Sequence, residues 1–341
     1  MNIIEYDKNI KGGVVMDEFT STLVKKFNFK PKYIRRKKYM YICDTDKGIK
    51  LIRPVNHTPE KILLVHNIKQ HLIKQGFNQL DYYYTSDENL PYVINEDLVY
   101  IMTDYIDLEE CDLSNKNHTK KAIELLAKFH KLSQGSNELI NTNNIEIFDI
   151  KELFSKKIDS LKKMKKQVSK QKNFSDFELA FIKTFDYFYK NGIQSLEILD
   201  KYKYEELNKI AKKNIMICHN KIKEENILIG EKLYLTQFEN ITIDHFIYDL
   251  ANFIIRYIKK HTEDYLILED ILITYSKINY IDGNILPVLY ALIKFPNRYI
   301  DTCKSFFERK RTFTPISISS DLENILQLKD FQENYISKIK Y

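Results

Sequence analysis

The chain has 341 residues, 44% hydrophobic and 13% aromatic, with only 8 Gly and 7 Pro, so it can bury a large core and is not a low-complexity or disordered chain. Its net charge of +6 is concentrated: residues 151–172 hold nine Lys against Glu152 and Asp159, and any basic partner-binding face is expected there. Four widely separated cysteines, Cys43, Cys111, Cys218 and Cys303, form no CxxC pair, which argues against a zinc site and a dense disulfide framework and makes reduced thiols the default.

Met16, Phe19, Leu23, Val24 and Phe27 recur at helical spacing and predict an opening helix over 16–28. Tyr33 to Cys43 is strand-like, Asp44 to Gly48 supplies a turn, and Ile49 to Val55 reads as a second strand. The stretch Lys32 to Tyr39 reads as a solvated basic hairpin. Thr58 as cap and Pro59 in the first turn predict a helix to Gln75, whose one acid, Glu60, answers the helix dipole. Leu80 to Tyr84, Tyr92 to Asn95 and Leu98 to Thr103 read as three short strands, with turns at 86–89 and 96–97. From residue 119 the period becomes 3.6, with Ala122, Leu125, Leu126, Phe129 and Leu132 on one face, and His130 reads as a packed core histidine. Residues 151–169 form an amphipathic helix whose cationic face lacks aromatic platforms and base-reading side chains. That face reads as solvated, and its composition disfavours nucleic acid; an acidic protein surface is the partner to expect if it has one. Further helices are expected at 176–190, 195–212, 245–260, 264–277 and 284–310, then a polar tail after Thr312 with a short helical stretch from Leu322 to Leu328. No run of about 18 apolar residues occurs, and Met1 to Lys8 lacks a basic region followed by an apolar core; neither a membrane span nor a secretory signal is expected.

Residues 216–250 carry the chemistry. An apolar strand, Ile215 to Cys218, leads into His219; a polar loop ends at Asn226 before Ile227-Leu228-Ile229; a second strand, Leu233 to Phe238, carries Gln237, with Glu239 beyond it; and Asp249 opens an apolar helix. Phosphotransferases place an Asp two residues after such a His to orient or deprotonate the acceptor hydroxyl. The loop Asn and an Asp on the next strand hold magnesium on the phosphates. Here those two acids are Lys221 and Gln237. An ammonium cannot accept the acceptor's proton, and a phosphate beside it stabilises the charged form further. Gln237 offers a neutral carbonyl where magnesium prefers charged oxygen. The frame is that of a kinase site; the acids that do the chemistry are replaced.

The pattern H-x-x-x-x-x-x-N-I-L, then T-Q-F-E, then D-L-A-N-F-I-I-R, resembles the aminoglycoside-phosphotransferase-like branch of the protein-kinase fold, and within it the spore-coat protein I/S family of endospore-forming Firmicutes. Thr45-Asp46-Lys47-Gly48, the stretch Gln70 to Phe77, and Leu292-Ile293-Lys294-Phe295-Pro296 support the narrower match, and the resemblance covers residues 20–312. It implies a bilobal α+β protein: an N-lobe over 1–104, mainly antiparallel strands with one long helix; a helical C-lobe over 105–312 that contains 216–250; and a polar tail over 313–341. By its register the glycine-rich loop falls on Lys32 to Tyr39, which has no Gly. The phosphate-pairing Lys becomes Arg53, and Tyr100 to Tyr105 is the hinge. It assigns His219 to bracing the loop and Asp249 to capping backbone amides.

The expectation is a catalytically degenerate kinase-like protein, a pseudokinase, that serves as a spore coat component or assembly factor by binding other coat proteins. It is made in the mother-cell cytoplasm and then sits in the coat or at the forespore surface. No cofactor is expected; Arg53, Lys221 and Asn226 are the candidate nucleotide-cleft residues, suited to ATP or ADP without magnesium. The alternative is an active ATP-dependent small-molecule phosphotransferase. In it Glu239, placed on one strand face with Gln237, or Glu224 in the loop, replaces the missing Asp residues, and Asn226 and Glu239 are the metal ligands.

Overall fold

A computed structural model describes residues 18–135, 149–260, 267–308 and 316–336. The expected helix start at Met16, the N-terminal stretch Met1 to Lys8, and Thr312 lie outside these. In chain order the elements are α1 (Glu18–Lys26), β1 (Pro31–Lys37), β2 (Met40–Thr45), β3 (Gly48–Val55), α2 (Pro59–Lys74), β4 (Val93–Asn95), β5 (Leu98–Asp104) and β6 (Glu109–Glu110). There follow α3 (Lys116–Leu132), α4 (Ile150–Val168), α5 (Asp176–Lys201), α6 (Tyr204–Lys213), β7 (Ile217–Cys218), β8 (Ile227–Ile229), β9 (Leu233–Leu235) and β10 (Thr242–Ile243). The C-terminal helices are α7 (Ile247–Ile258), α8 (Ile267–Ser276), α9 (Leu286–Lys294), α10 (Asn297–Glu308) and α11 (Ile316–Ile336).

The chain divides into two compact units. Among the described residues, the first comprises 18–110 and 226–240. It is built on an antiparallel sheet in the order β1-β2-β3-β5-β4, with a smaller sheet ordered β6-β8-β9. The basic hairpin forms as expected, and its turn is made by Lys38 at φ 57°. Glu96 and Asp97 both take positive φ between β4 and β5, the conformation that matches a two-residue loop to the twist of its strands. Leu23 and Val24 of α1, with Phe27 just beyond its end, pack on Ile34, Cys43, Ile52, Tyr100 and Met102, so the apolar faces of helix and strands close one core. Thr58 caps α2, accepting from the Lys61 N–H at 3.3 Å, and Pro59 opens it.

The second unit, made among the described residues of 111–135, 149–225, 241–260, 267–308 and 316–336, is mainly helical. Helix α5 packs on α4 and α9, and α7 on α9. Stacked rings join further helices: Phe154 of α4 on Phe295 at the end of α9, with centroids 3.5 Å apart, and Phe188 of α5 on Tyr299 of α10, at 3.9 Å. Ser175 and Glu178 form a capping box at the start of α5.

Several elements differ from their expected bounds. Residues 80–84 are no strand: they follow β9 through one parallel bridge, Leu80 to Leu235, and Tyr84 N–H donates to the Met102 carbonyl at 2.9 Å. Tyr100 to Asp104, read as the hinge, belongs to β5, paired with β3 along its whole length. The helices expected at 176–190 and 195–212 are one helix running through Gly192 and a second that begins after Lys203, which takes φ 50°. Gly192 persists inside α5 because a Cβ there would overlap the Ile158 side chain of α4. The helix expected over 284–310 breaks at Phe295-Pro296 into α9 and α10, since the residue before a proline is driven out of the helical region. In the tail, α11 is far longer than the short stretch expected over 322–328. Among the described residues no helix is long and apolar enough to cross a membrane.

Candidate functional site

Strand β3 places its side chains alternately, so Lys50 and Ile52 face one way and Arg53 the other. Lys50 is 4% exposed and pairs with Asp104 and the Tyr84 hydroxyl. Arg53 donates to Glu239 Oε1 at 2.5 Å, and the Tyr83 hydroxyl donates to the same oxygen. A second buried pair lies in the same unit: Lys69 of α2, 1% exposed, donates to Asp81 Oδ1 at 2.7 Å and to the Asp81 carbonyl at 2.6 Å. Its ammonium sits 3.5 Å from the Tyr83 ring centroid and 4.9 Å from that of Phe238. Asp81 also accepts the Gln237 N–H, through Oδ2 at 3.3 Å.

The charges of this cluster answer one another. Burial alone would raise the Glu239 carboxyl, but Arg53 and Lys69 and the hydrogen bonds from Tyr83 and Arg53 hold it down at about 2. Burial pushes the Lys69 ammonium down against the pull of Asp81 and Glu239. Burial, then Glu239, pushes the Tyr83 phenol well above its ordinary value, so it stays a donor.

Gln237 and Glu239 do not share a strand face as expected. Strand β9 ends at Leu235, Gln237 takes φ 62°, and Phe238 to Asn240 form a 3-10 turn. That kink turns the Glu239 side chain inward, where it is 4% exposed. Asn226 ends the preceding loop in a 3-10 turn, and its carbonyl accepts the Thr236 N–H at 2.9 Å. Its side-chain amide is fully buried and, among the described residues, neither Oδ1 nor Nδ2 has a partner.

The kinase fold implies a magnesium nucleotide, and these residues do not fit the metal. Magnesium needs near-octahedral oxygen, normally with one or two carboxylates. The acids of this unit that lie nearest Gln237 in the network, Asp81 and Glu239, are both spent on buried cations. What remains is the neutral Asn226 amide with a neutral Gln237.

In the second unit, Asp249 lies in the first turn of α7 and is fully buried. Its Oδ2 accepts the His219 N–H at 2.5 Å, and its Oδ1 accepts the Asn220 N–H at 2.9 Å, where Asn220 has φ 61°. Through the backbone N–H groups of His219 and Asn220, the Asp249 carboxylate ties down the loop that follows β7. His130, 1% exposed, completes the arrangement, with Nε2 3.1 Å from Asp249 Oδ2 and Nδ1 2.7 Å from the Tyr275 hydroxyl. His130, Cys218 and Asp249 lie close enough to suggest metal ligation. The Cys218 thiol, however, points at the carbonyls of Asp244 and His245, and burial keeps it protonated. Lys221 is half-buried and, among the described residues, has no carboxylate in ion-pair range. Glu224, the candidate displaced base, accepts the Leu113 N–H at 3.3 Å and lies 3.5 Å from Lys260.

Sequence reasoning missed Lys69, Asp81 and Tyr83. The spacing held a clue for Lys69: it stands four residues after Val65 and three before Leu72, on the buried stripe of α2.

The fold recurs among phosphotransferases. An aminoglycoside phosphotransferase from Alicyclobacillus acidocaldarius subsp. acidocaldarius DSM 446 superposes with a TM-score of 0.83 at 15% identity, covering 93% of this chain and 94% of that one. Spectinomycin phosphotransferase, solved with ADP and spectinomycin, matches with a TM-score of 0.61 at 15% identity over 97% of this chain and 99% of its own. Among curated proteins, ookinete maturation protein 1 of Plasmodium berghei (strain Anka) is 28% identical over 231 residues, 67% of this chain. The chain spans only 18% of that protein's length. Residues 20–339 match the family described as "Spore coat putative kinase YutH", and the chain belongs to this spore coat family.

Proposed function

We propose that this protein is a catalytically degenerate member of its family, a pseudokinase that acts in the spore coat by binding other coat proteins. The observation that carries this reading is the closed Arg53–Glu239 and Lys69–Asp81 network. It uses up the acids that could have replaced the missing metal ligand. It also holds Arg53, the residue at the phosphate-pairing position, on a carboxylate of its own chain. With Lys221 and Gln237 in place of the two catalytic acids, neither of those two positions offers a carboxylate for proton abstraction or metal binding.

The alternative, phosphate transfer through Glu239 or Glu224, rests on one feature: the buried, unpartnered Asn226 amide keeps the polar atoms with which such a loop would meet a metal. A thermal-unfolding series with ATP or ADP, each with magnesium and with EDTA, separates the readings. Ligand at about 100 times its dissociation constant stabilises a protein by about 2.7 kcal/mol. The expected outcome is no magnesium-dependent shift and no release of phosphate from ATP. A shift present only with magnesium, accompanied by phosphate release, overturns the pseudokinase reading. Coat binding is tested by cross-linking in sporulating cells: recovery with coat proteins is expected, and recovery only as free protein in the mother-cell extract counts against it.

A further inference from the structure

The second unit holds a pocket of about 530 Å³ between α5, α7, the α9–α10 turn and α11. Its volume is in the range of sites that hold small molecules. Apolar side chains form much of its lining, among them Phe188, Ile255, Phe295 and Tyr299. Three cations, Arg256, Lys259 and Arg298, line it as well.

Local structure explains why they meet. Arg256 and Lys259 are three residues apart at the C-terminal end of α7, so they share a face, and cations are favoured at that end by the helix dipole. Arg298 follows from Pro296, which ends α9 and starts α10 on the pocket wall. The first turn of α10 therefore adds its own positive dipole end to the same space.

Two acids line the pocket, and both are engaged. Asp321 of α11 accepts from Arg298 at 2.6 Å, and Asp301 pairs with Lys157 at 2.5 Å. Among the described residues no carboxylate stands within ion-pair range of Lys259 or Arg256; Glu224 and Glu225 act on Arg256 only from farther off. Lys259 is exposed as a residue, and its ammonium is pushed down to about 8 by partial desolvation, then by Arg298 and Arg256, with Asp321 pulling the other way. Like charges gathered in a concave, partly apolar site are held there at a cost that an anion would remove.

We propose that this pocket binds a small organic anion, an apolar body carrying a phosphate or carboxylate group, with Arg256 and Lys259 on the anionic group and the ring-lined wall on the body. The proposal is independent of nucleotide binding, since the pocket lies wholly within the helical unit.

The test is the melting temperature of the full chain with phenyl phosphate, benzoate or inorganic phosphate, each compared with sodium chloride at equal ionic strength and without ATP or magnesium. Phenyl phosphate or benzoate is expected to raise the melting temperature above the chloride control and above inorganic phosphate; whichever of the two acts more strongly identifies the group. Lys259→Gln is expected to weaken that binding about tenfold, and Arg256→Gln with Lys259→Gln to abolish it. Because Lys259 reaches solvent, its single variant retains the fold even where the double variant does not. Equal shifts with the organic anions and matched chloride, a shift with inorganic phosphate as large as with phenyl phosphate, or an undiminished shift in Lys259→Gln each overturn the proposal.

Discussion

Glu239 shows how much one side chain decides. Removing one partner of a buried ion pair strands the other and costs about 3–5 kcal/mol, whereas replacing both with apolar groups of similar volume is near neutral. Glu239→Ala is therefore expected to destabilise by about 3 kcal/mol, and Arg53→Met with Glu239→Leu to recover most of it, as read from urea unfolding midpoints. The same carboxyl gives acid sensitivity. Its pKa falls from 4.5 to about 2 on folding, so the stabilisation is full above pH 4.5 and is lost as pH drops toward 2. Asp244 acts with the opposite sign. Burial lifts it from 3.8 to about 7 even though Tyr204 and the His245 N–H donate to it, so folding takes up a proton and stability falls as pH rises from 3.8 to 7. Asp244→Asn is expected to flatten the stability profile over that window; an unchanged slope would show that another group titrates there. These residues were only partly legible in the sequence. Lys221 and Gln237 could be read as replacements because a loop of fixed length aligns them. The partners of Arg53 could not, because 186 positions separate it from Glu239 and no local pattern reports so distant a contact.

At the scale of elements, the sequence was informative wherever the local chemistry was sufficient. Thr58-Pro59 marked the start of α2, and the apolar stripe from Phe154 to Val168 marked α4. It misled where tertiary packing overrides propensity. Gly192 costs α5 about 1 kcal/mol relative to Ala, and the chain reads there as a break, but α4 approaches too closely for a side chain. Gly192→Leu is expected to destabilise by about 1–3 kcal/mol as an overpacked core does, and adding Ile158→Ala should relieve part of that cost in a double-mutant cycle. Strict additivity of the two would mean that the helices do not meet at this point. The strand expected over Leu233 to Phe238 failed for a related reason: the turn at Gln237 is held by Asp81, which the local sequence does not show.

For the whole molecule, the excess charge is less available than composition suggests. Lys151 pairs with Asp200 and Glu205, Lys157 with Asp301, and Lys156 and Lys162 with acids on their own helix. The lysine-rich α4 is thus partly neutralised by its neighbours, and weak retention on heparin at moderate salt is expected; retention that falls steeply with salt would instead assign that face to a polyanion.

Cys43, Cys111, Cys218 and Cys303 are all buried, and burial raises each thiol, Cys43 and Cys111 to about 12. A disulfide reagent meets a reactive thiolate only when the surrounding structure opens. The four sulfurs are therefore built-in clocks: Cys43 times the opening of the sheet unit, and Cys218 and Cys303 that of the helical unit. Following which sulfur is labelled first as temperature rises would show, without any engineered probe site, whether the two units of this chain unfold in one event or in two.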